Sequence, residues 1–241
     1  MPYRKINFEK NQPVHIISRA LTEIFKQKED CYRFIFQFYI ANLGKKGFNV
    51  KTKDAIKAGQ ALLYGEKIPT NFIIQEHPPL VSLLDFSLVI NHDHFYLVPN
   101  IDNAIPVFIQ KLNNGYAQYF NLTHKRRDAL FGSRYKGIAV KTEFQSHAVS
   151  RYVSVINPLD IFQPGWRENG LKNPKEAFNF LENYEFSSFP DKLGKRNSLI
   201  LASKEILEQY APFWGNDNEY KTFVKEFLKE KLTSSQSIFL E

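Results

Sequence analysis

Apolar residues follow two different spacings along the chain, one typical of strands and one typical of helices. Short runs rich in β-branched and aromatic residues, bounded by turn residues, predict strands over residues 12–19, 80–98 and 135–142. Apolar residues that recur every three or four positions predict helices over residues 29–43, 102–121 and 143–157. We expect the last helix to end at Pro158, because the residue before a proline disfavours the helical conformation.

The order of these elements predicts the fold class. Strand, helix, one or more strands, helix, strand and helix in succession indicate an α+β fold, with an antiparallel-rich sheet and helices on one face. Residues 44–79 are rich in Gly and Pro and are interpreted as an insertion with a short helix near 53–64. We therefore expect a first domain over residues 1–170 and a mostly helical C-terminal extension over 171–241, with its best-defined helices at 174–184 and 217–232.

The composition and charge narrow the class of protein. A chain of 241 residues that is 43% hydrophobic and 15% aromatic can build a core, which excludes a mainly disordered protein. Residues 1–160 hold 21 basic and 13 acidic residues, whereas residues 161–241 hold 11 and 12. Seven basic residues and one acidic residue fall within 111–141. This segment predicts a phosphate-binding surface, although a solvated loop has the same composition.

Other features exclude whole kinds of site. The single cysteine, Cys31, excludes a disulfide framework and a cysteine-based zinc site. The first residues lack the apolar stretch of a secretory signal, and no run approaches 18 apolar residues. We therefore expect a cytoplasmic protein that binds no membrane.

Two histidines are candidates for metal binding. His92 and His94 are two positions apart on a predicted strand, so both side chains leave the same face, about 7 Å apart along the strand. Two imidazoles in this arrangement could hold one divalent ion, with a third ligand from another element. The alternative interpretation is a pair of sheet histidines satisfied by hydrogen bonds.

Tyr152 and Asn157 are the other candidates for chemistry. A tyrosine hydroxyl can attack phosphorus, and an amide oxygen suits a hard divalent metal. Tyr152 could instead be a core residue of an amphipathic helix, and Asn157 a residue that ends that helix. We interpret His15 as structural and His124 as part of a basic loop, and we assign no role to His147.

Six segments taken together resemble the REP-associated tyrosine transposases, which are single-tyrosine members of the HUH endonuclease superfamily. Residues 14–19 resemble the family's first strand, with its His-x-x-x-Arg signature, and residues 90–95 resemble the strand that carries the histidine pair. The other four segments follow in the family's order and resemble its long helix, its basic turn, its tyrosine helix and its closing element: residues 110–121, 130–136, 150–158 and 184–189. The resemblance covers about residues 3–195.

The resemblance implies a fold, a reaction and a set of site residues. The fold is a ferredoxin-like domain in which the histidine strand faces the tyrosine helix. The reaction is cleavage and rejoining of single-stranded DNA beside a hairpin, through a 5′-phosphotyrosine intermediate. Tyr152 would be the nucleophile, and Mg²⁺ or Mn²⁺ would be held by His92, His94 and Asn157. The residues implied in DNA binding are all basic: Arg19, Lys125, Arg126, Arg127, Arg134 and Lys136. Members of the family act as dimers or monomers, so a homodimer is one of two oligomeric states that the resemblance allows.

This sequence departs from the family's pattern at two positions. Asp93 replaces the usual hydrophobic residue between the histidines, and we expect its carboxyl to be paired or exposed, because a buried unpaired carboxylate is costly. Asn157 follows Tyr152 by five residues where the family has four, which turns it by about another 100° in a regular helix. A π-bulge or a frayed last turn could restore the alignment; otherwise the third ligand is lost or comes from elsewhere.

Three hypotheses for function therefore stand. The first is a metal-dependent enzyme that cleaves and transfers DNA strands. The second is a domesticated or inactive relative that binds hairpin DNA without cleavage. The third is an unrelated α+β protein, such as a metal-dependent hydrolase that uses His92 and His94. Formation of a denaturant-resistant protein–DNA adduct separates the first hypothesis from the second, and salt-dependent DNA affinity separates both from the third.

Overall fold

The computed structural model describes residues 8–43, 52–68 and 78–231. Its strands are β1 (Val14–Arg19), β2 (Val81–Val89), β3 (His92–Pro99) and β4 (Lys136–Ala139). Helices of the domain that contains the sheet are α1 (Lys28–Asn42), α2 (Thr52–Tyr64), α3 (Ala104–Thr123), α4 (Glu143–Arg151), a π-helical turn (Tyr152–Ile156) and α5 (Asn157–Phe162). The later helices are α6 (Trp166–Asn169), α7 (Pro174–Asn183), α8 (Phe189–Lys192), α9 (Lys204–Tyr210) and α10 (Asp217–Glu230).

The four strands form one antiparallel sheet in the order β2-β3-β1-β4. This strand order, with the chain order strand, helix, strand, strand, helix, strand, is that of the ferredoxin-like fold. The predicted α+β class and antiparallel sheet are therefore confirmed. The histidine strand β3 is central, with β1 on one side and β2 on the other.

Helices cover both faces of the sheet. Phe95 and Leu97 of β3 belong to the core formed with α1 and α3. The alternate residues Tyr96 and Val98 pack in a second cluster with Val149 of α4. The expectation of helices on one face is therefore wrong, because both alternating sets of residues in β3 beyond the histidines are apolar and each needs a covering layer.

The described part of the insertion is a helix packed on the domain. The short helix predicted near 53–64 is confirmed as α2, which lies against α1. The helices approach so closely at Gly59 that a Cβ atom there would lie 1.9 Å from the carbonyl oxygen of Tyr32. Residues 44–51 and 69–77 of the predicted insertion lie outside the described residues.

Both well-defined helices predicted for the C-terminal extension are confirmed, as α7 and α10. Ser87 of β2 forms an isolated antiparallel bridge with Ser187, which comes just before α8. A third core cluster joins α5 with α7 and α10 around Leu159, Leu181 and Val224. No helix of the described ranges is both long and apolar enough to span a bilayer.

A fully buried ion pair connects the sheet with the tyrosine helix and the extension. The Nζ atom of Lys192 lies 2.9 Å from Oδ2 of Asp85, and both side chains are completely buried. Ser150 of α4 donates to Oδ2 of the same carboxylate at 2.7 Å, and Ser188 donates to Oδ1 at 2.8 Å. Lys192 also donates to Ser150 and lies 5.1 Å from the ring centre of Tyr220 in α10.

Asp93 is buried without a well-formed hydrogen bond, contrary to the expectation that it is paired or exposed. Neither carboxyl oxygen makes a hydrogen bond of good geometry among the described residues, and the looser contact with Ser18 opposes the effect of burial only in part. Burial raises the pKa of Asp93 well above its ordinary value, so the carboxyl is held in its neutral form. Ser18, which lies opposite Asp93 in the pairing of β1 with β3, also has an unpartnered hydroxyl. Protonation therefore lowers the cost of burying this group by removing its charge.

We expect Lys192→Met to lower the free energy of unfolding by about 3–5 kcal/mol, because it leaves the Asp85 carboxylate buried without its cation. The double variant Lys192→Met with Asp85→Asn should recover part of this loss, since no lone charge remains. Lys195→Met is the matched control, because the Lys195 side chain is 49% exposed in its pair with Glu182 and should change stability by less than about 1 kcal/mol. Urea unfolding measures all three, and equal losses for Lys192→Met and Lys195→Met would contradict the prediction.

The raised pKa of Asp93 predicts how its contribution to stability depends on pH. Below the unfolded-state pKa of about 3.9, the carboxyl is protonated in both states and costs nothing. As the pH rises above about 4, the carboxyl ionises in the unfolded state but stays protonated in the folded state. The free energy of unfolding therefore falls relative to that of a variant with a neutral side chain at this position. Asp93→Asn should therefore match the parent near pH 4 and exceed it increasingly toward neutral pH. Urea unfolding across this pH range measures the difference, and a constant difference would contradict the neutral carboxyl.

Candidate functional site

The pairing of the sheet places three histidines on one face. His92 and His94 lie on the same side of β3, with ring centres 4.9 Å apart. In the adjacent strand β1, Ile17 pairs with His94 and Arg19 with His92, so His15 projects from the same face. The predicted common face of the histidine pair is therefore present.

His15 belongs to this cluster rather than to the structural core. Its Nε2 atom lies 3.1 Å from Nδ1 of His94, and the two rings stack with centres 5.4 Å apart. When Nδ1 of His94 donates to His15, the Nε2 atom of His94 keeps its lone pair, and this buried atom has no other partner among the described residues. The interpretation of His15 as structural missed this contact, although its position between the core residues Val14 and Ile16 already directs it to the opposite face.

A π-helical turn brings Asn157 back over Tyr152. The backbone N–H of Asn157 donates to the carbonyl of Tyr152, five residues earlier, where a regular helix would bond four residues earlier. The wider turn absorbs the additional residue, so the five-residue spacing does not rotate Asn157 away. Of the alternatives that the sequence left open, the structure has the π-bulge.

The helix does not end at Pro158 as predicted, because the π turn accommodates the proline. Pro158 has no N–H group and in a regular helix would crowd the carbonyl four residues earlier, that of Ser154. Here it stands in the first turn of α5, and the helical path continues to Phe162. The Ser154 hydroxyl donates to the carbonyl of Ser150 at 2.6 Å, which satisfies a group next to the distorted turn.

Tyr152 faces the histidines from the covering helix. Its ring centre lies 5.5 Å from that of His94 and 5.6 Å from that of His15, with both contacts edge to face. The Tyr152 side chain is buried, whereas His92 is half-buried. The site therefore has a covered interior at Tyr152 and His94 and a more open side at His92.

Arg167 completes the site, and sequence reasoning did not find it. Its guanidinium carbon lies 5.4 Å from the ring centre of Tyr152, and its Nη2 atom donates to Oδ1 of Asn157 at 3.2 Å. Asp160 holds the guanidinium through Nε at 3.0 Å and Nη2 at 2.6 Å. Asp160, Trp166 and Arg167 form no recognisable motif in the sequence, and the site receives Arg167 only because the chain turns back after α5.

Burial, supported by the charges around the site, keeps the imidazoles neutral. Burial, together with Arg19 and Arg167, lowers the pKa of His92 to about 4, and burial lowers that of His15 to about 4. Burial and the surrounding histidines and arginines lower the pKa of His94 well below its ordinary value. All three rings are therefore neutral at neutral pH, which is the form in which imidazole binds a metal.

The donor atoms fit a metal in part. The neutral, unpartnered Nε2 atom of His94 is a suitable ligand. Nδ1 of His92 is bonded to Oδ1 of Asn91 at 2.8 Å, which leaves Nε2 of His92 as the ligating atom. The third predicted ligand, Oδ1 of Asn157, already accepts from Arg167. Within the described ranges, no three His, Cys, Asp or Glu side chains are grouped so that they could hold a metal ion.

Of the predicted DNA-binding residues, Arg19 and Lys136 pair with residues of the histidine face, whereas Lys125, Arg126 and Arg127 follow α3, which packs on the opposite face. Arg19 ends β1 and Lys136 begins β4, and the loop between α3 and β4 is held beside them by the bond from Leu21 N–H to the carbonyl of Leu130. Arg126 is half-buried. The other five are exposed: Arg19, Lys125, Arg127, Arg134 and Lys136. His124 lies at the start of the basic loop as predicted, and its Nε2 atom is 3.0 Å from the buried carboxylate of Asp30.

Comparisons with known proteins return one structural likeness. No family model matches the sequence, and no curated protein matches it. Among solved structures, the chain is similar to "Structure of the REP associates tyrosine transposase bound to a REP hairpin", with a TM-score of 0.48 and 11% sequence identity over 84% of this chain and 92% of that chain. That protein is of the type that the sequence motifs resemble. This identity and TM-score assign no reaction, ligand or site residue to the present chain.

Proposed function

We propose that this protein is a single-tyrosine transposase that cleaves and rejoins single-stranded DNA beside a hairpin. The observation that carries the proposal is the packing of Tyr152 against His94, with Asn157 returned over Tyr152 by the π turn. The candidate nucleophile and the candidate metal ligands come from three neighbouring elements: β3, the π turn and α5. The motif resemblance supplies the class of substrate.

In the proposed reaction, the phenolic oxygen of Tyr152 forms a bond to phosphorus, and the bond from phosphorus to the 3′ oxygen breaks. The phenolic proton is lost and the departing 3′ oxygen gains one, with water as the carrier, so protons balance. The products are a 5′-phosphotyrosine adduct and a free 3′-hydroxyl. Because the adduct is a phosphodiester like the bond it replaces, a new 3′-hydroxyl can reverse the reaction without an external energy source.

His92 and His94 would hold Mg²⁺ or Mn²⁺ through their neutral Nε2 atoms, with Asn157 as third ligand. When bound, the cation offsets the charge that develops on a non-bridging phosphate oxygen. His15 would fix the orientation and tautomer of His94 through the 3.1 Å contact between the rings. The exposed basic residues from Arg19 to Lys136 would neutralise phosphates of the hairpin.

The second candidate function is hairpin binding without cleavage. The occupied oxygen of Asn157 favours it, because Arg167 donates to the atom that a metal would need. The exposed basic residues from Arg19 to Lys136 would serve both functions equally. The formation of a covalent adduct therefore decides between them.

We expect the protein to form a denaturant-resistant adduct with single-stranded hairpin DNA in the presence of Mn²⁺, detected as a shifted band on a denaturing gel. Tyr152→Phe should abolish the adduct, because it removes the attacking oxygen while keeping the ring. Tyr39→Phe is the matched control, since Tyr39 packs on the core of the opposite face, and it should keep the adduct. Salt-sensitive hairpin binding with no adduct in Mg²⁺ or Mn²⁺ would overturn the cleavage proposal in favour of the second candidate.

The contact of His15 with His94 predicts an effect on metal affinity. We expect His15→Leu to weaken Mn²⁺ binding by about 10–100-fold, because His94 loses the acceptor that orients it. His15→Gln keeps an acceptor and should retain more of the affinity. Electron paramagnetic resonance of free Mn²⁺ measures the affinity, and circular dichroism checks that each variant is folded. Equal Mn²⁺ affinity in the parent and a folded His15→Leu variant would refute the orienting role.

A further inference from the structure

Arg167 is held rigidly at the edge of the site. Asp160 accepts from both Nε and Nη2 of the guanidinium, and the Nε1 atom of Trp166 donates to Asp160 at 2.9 Å. Trp166 is itself almost completely buried. A carboxylate that is fixed by a buried indole and binds the guanidinium at two points leaves Arg167 little freedom to rotate.

The hydrogen bonds from Arg167 to Asp160 and Asn157 use two of its three guanidinium nitrogens. Nε and Nη2 make the bonds to Asp160 and Asn157, and Nη1 donates to neither. The bonds to Asp160 and the interaction with the Tyr152 hydroxyl keep the pKa of Arg167 above its ordinary value, although burial opposes this. The guanidinium therefore carries its charge beside the Tyr152 oxygen.

Arg167 also connects the buried nucleophile with solvent. Its side chain is 22% exposed, whereas Tyr152 is 3% exposed. A phosphate that meets the Tyr152 oxygen must approach from the accessible side, where this guanidinium lies. A planar guanidinium with free N–H groups suits the oxygens of a phosphodiester better than a point charge does.

We propose that Arg167 is a further catalytic residue, whose Nη1 binds a non-bridging oxygen of the phosphate that Tyr152 attacks. The inference rests on the proposed function for the identity of the reacting group. In this role, Asp160 and Trp166 are positioning residues that hold the guanidinium in place. The hydrogen bond from Nη2 to Asn157 links the guanidinium of Arg167 to the tyrosine helix.

The first test uses inorganic phosphate and needs no DNA. In protein labelled with ¹⁵N-arginine, titration with phosphate should shift the Nε–H resonance of Arg167 in a saturable way, with the resonance assigned by its loss in Arg167→Lys. Arg196 is the matched control, because it is buried in a similar pair with Asp191 and its Nη1 already donates to the carbonyl of Glu185. An unshifted Arg167 resonance, or equal shifts of Arg167 and Arg196, would overturn the anion site.

The second test uses the hairpin that forms the adduct, after its cleavage site has been mapped. In the Tyr152→Phe background, Arg167→Met should weaken binding of this DNA about tenfold, the scale of one charge-assisted hydrogen bond. The same substitution should weaken binding by less than about twofold when the DNA carries a neutral methylphosphonate at the cleavage site, since the phosphate that Arg167 would contact is then uncharged. Arg167→Lys should restore part of the affinity for native DNA.

The two tests separate the possible failures. An equal loss of affinity for both DNAs in folded Arg167→Met would overturn the proposed contact. If no hairpin forms an adduct, the proposed cleavage fails, and the phosphate titration still decides whether Arg167 is an anion site. Arg127→Met provides the comparison for the second test, because a contact outside the scissile phosphate should weaken both DNAs by the same factor.

Discussion

The ion pair between Lys192 and Asp85 is the interaction on which the arrangement of the site depends. A fully buried carboxylate and a fully buried ammonium are each costly alone, so their elements must stay together once either is buried. Ser150 adds a hydrogen bond to the same carboxylate from the tyrosine helix, two residues before Tyr152. The position of Tyr152 over the sheet is therefore fixed by a polar contact beneath it, as well as by apolar packing.

The π turn sets the second constraint. It begins at Tyr152 and returns Asn157 to the same side, so the nucleophile and the amide remain neighbours despite the longer spacing. The widened turn accommodates Pro158 in the helix, and the Ser154 hydroxyl donates to the carbonyl of Ser150, just before this turn. The distortion thus serves the geometry of the candidate site and explains how the helix passes a proline.

Recurring apolar positions predicted the main helices, and runs of β-branched and aromatic residues predicted the strands. Alternation along β3 was enough to place His92 and His94 on one face. Periodicity could not place His15 beside His94, because that contact depends on which strands pair and in which register. It also could not predict Arg167, whose position depends on the return of the chain after α5, or the protonation of Asp93, which depends on complete burial.

The distance along the chain between Asp85 and Lys192 has a consequence for the order of folding. The carboxylate is in the second strand of the sheet, whereas its cation follows more than a hundred residues later, after the tyrosine helix. Contacts between such distant segments form late, because the chain must lose the entropy of closing a long loop before the contact contributes any stability. The hairpin of β2 and β3, which carries His92 and His94, can therefore form before the helix above it is held in place. The nucleophile would reach its final position only when the extension has docked, so the site would be completed last.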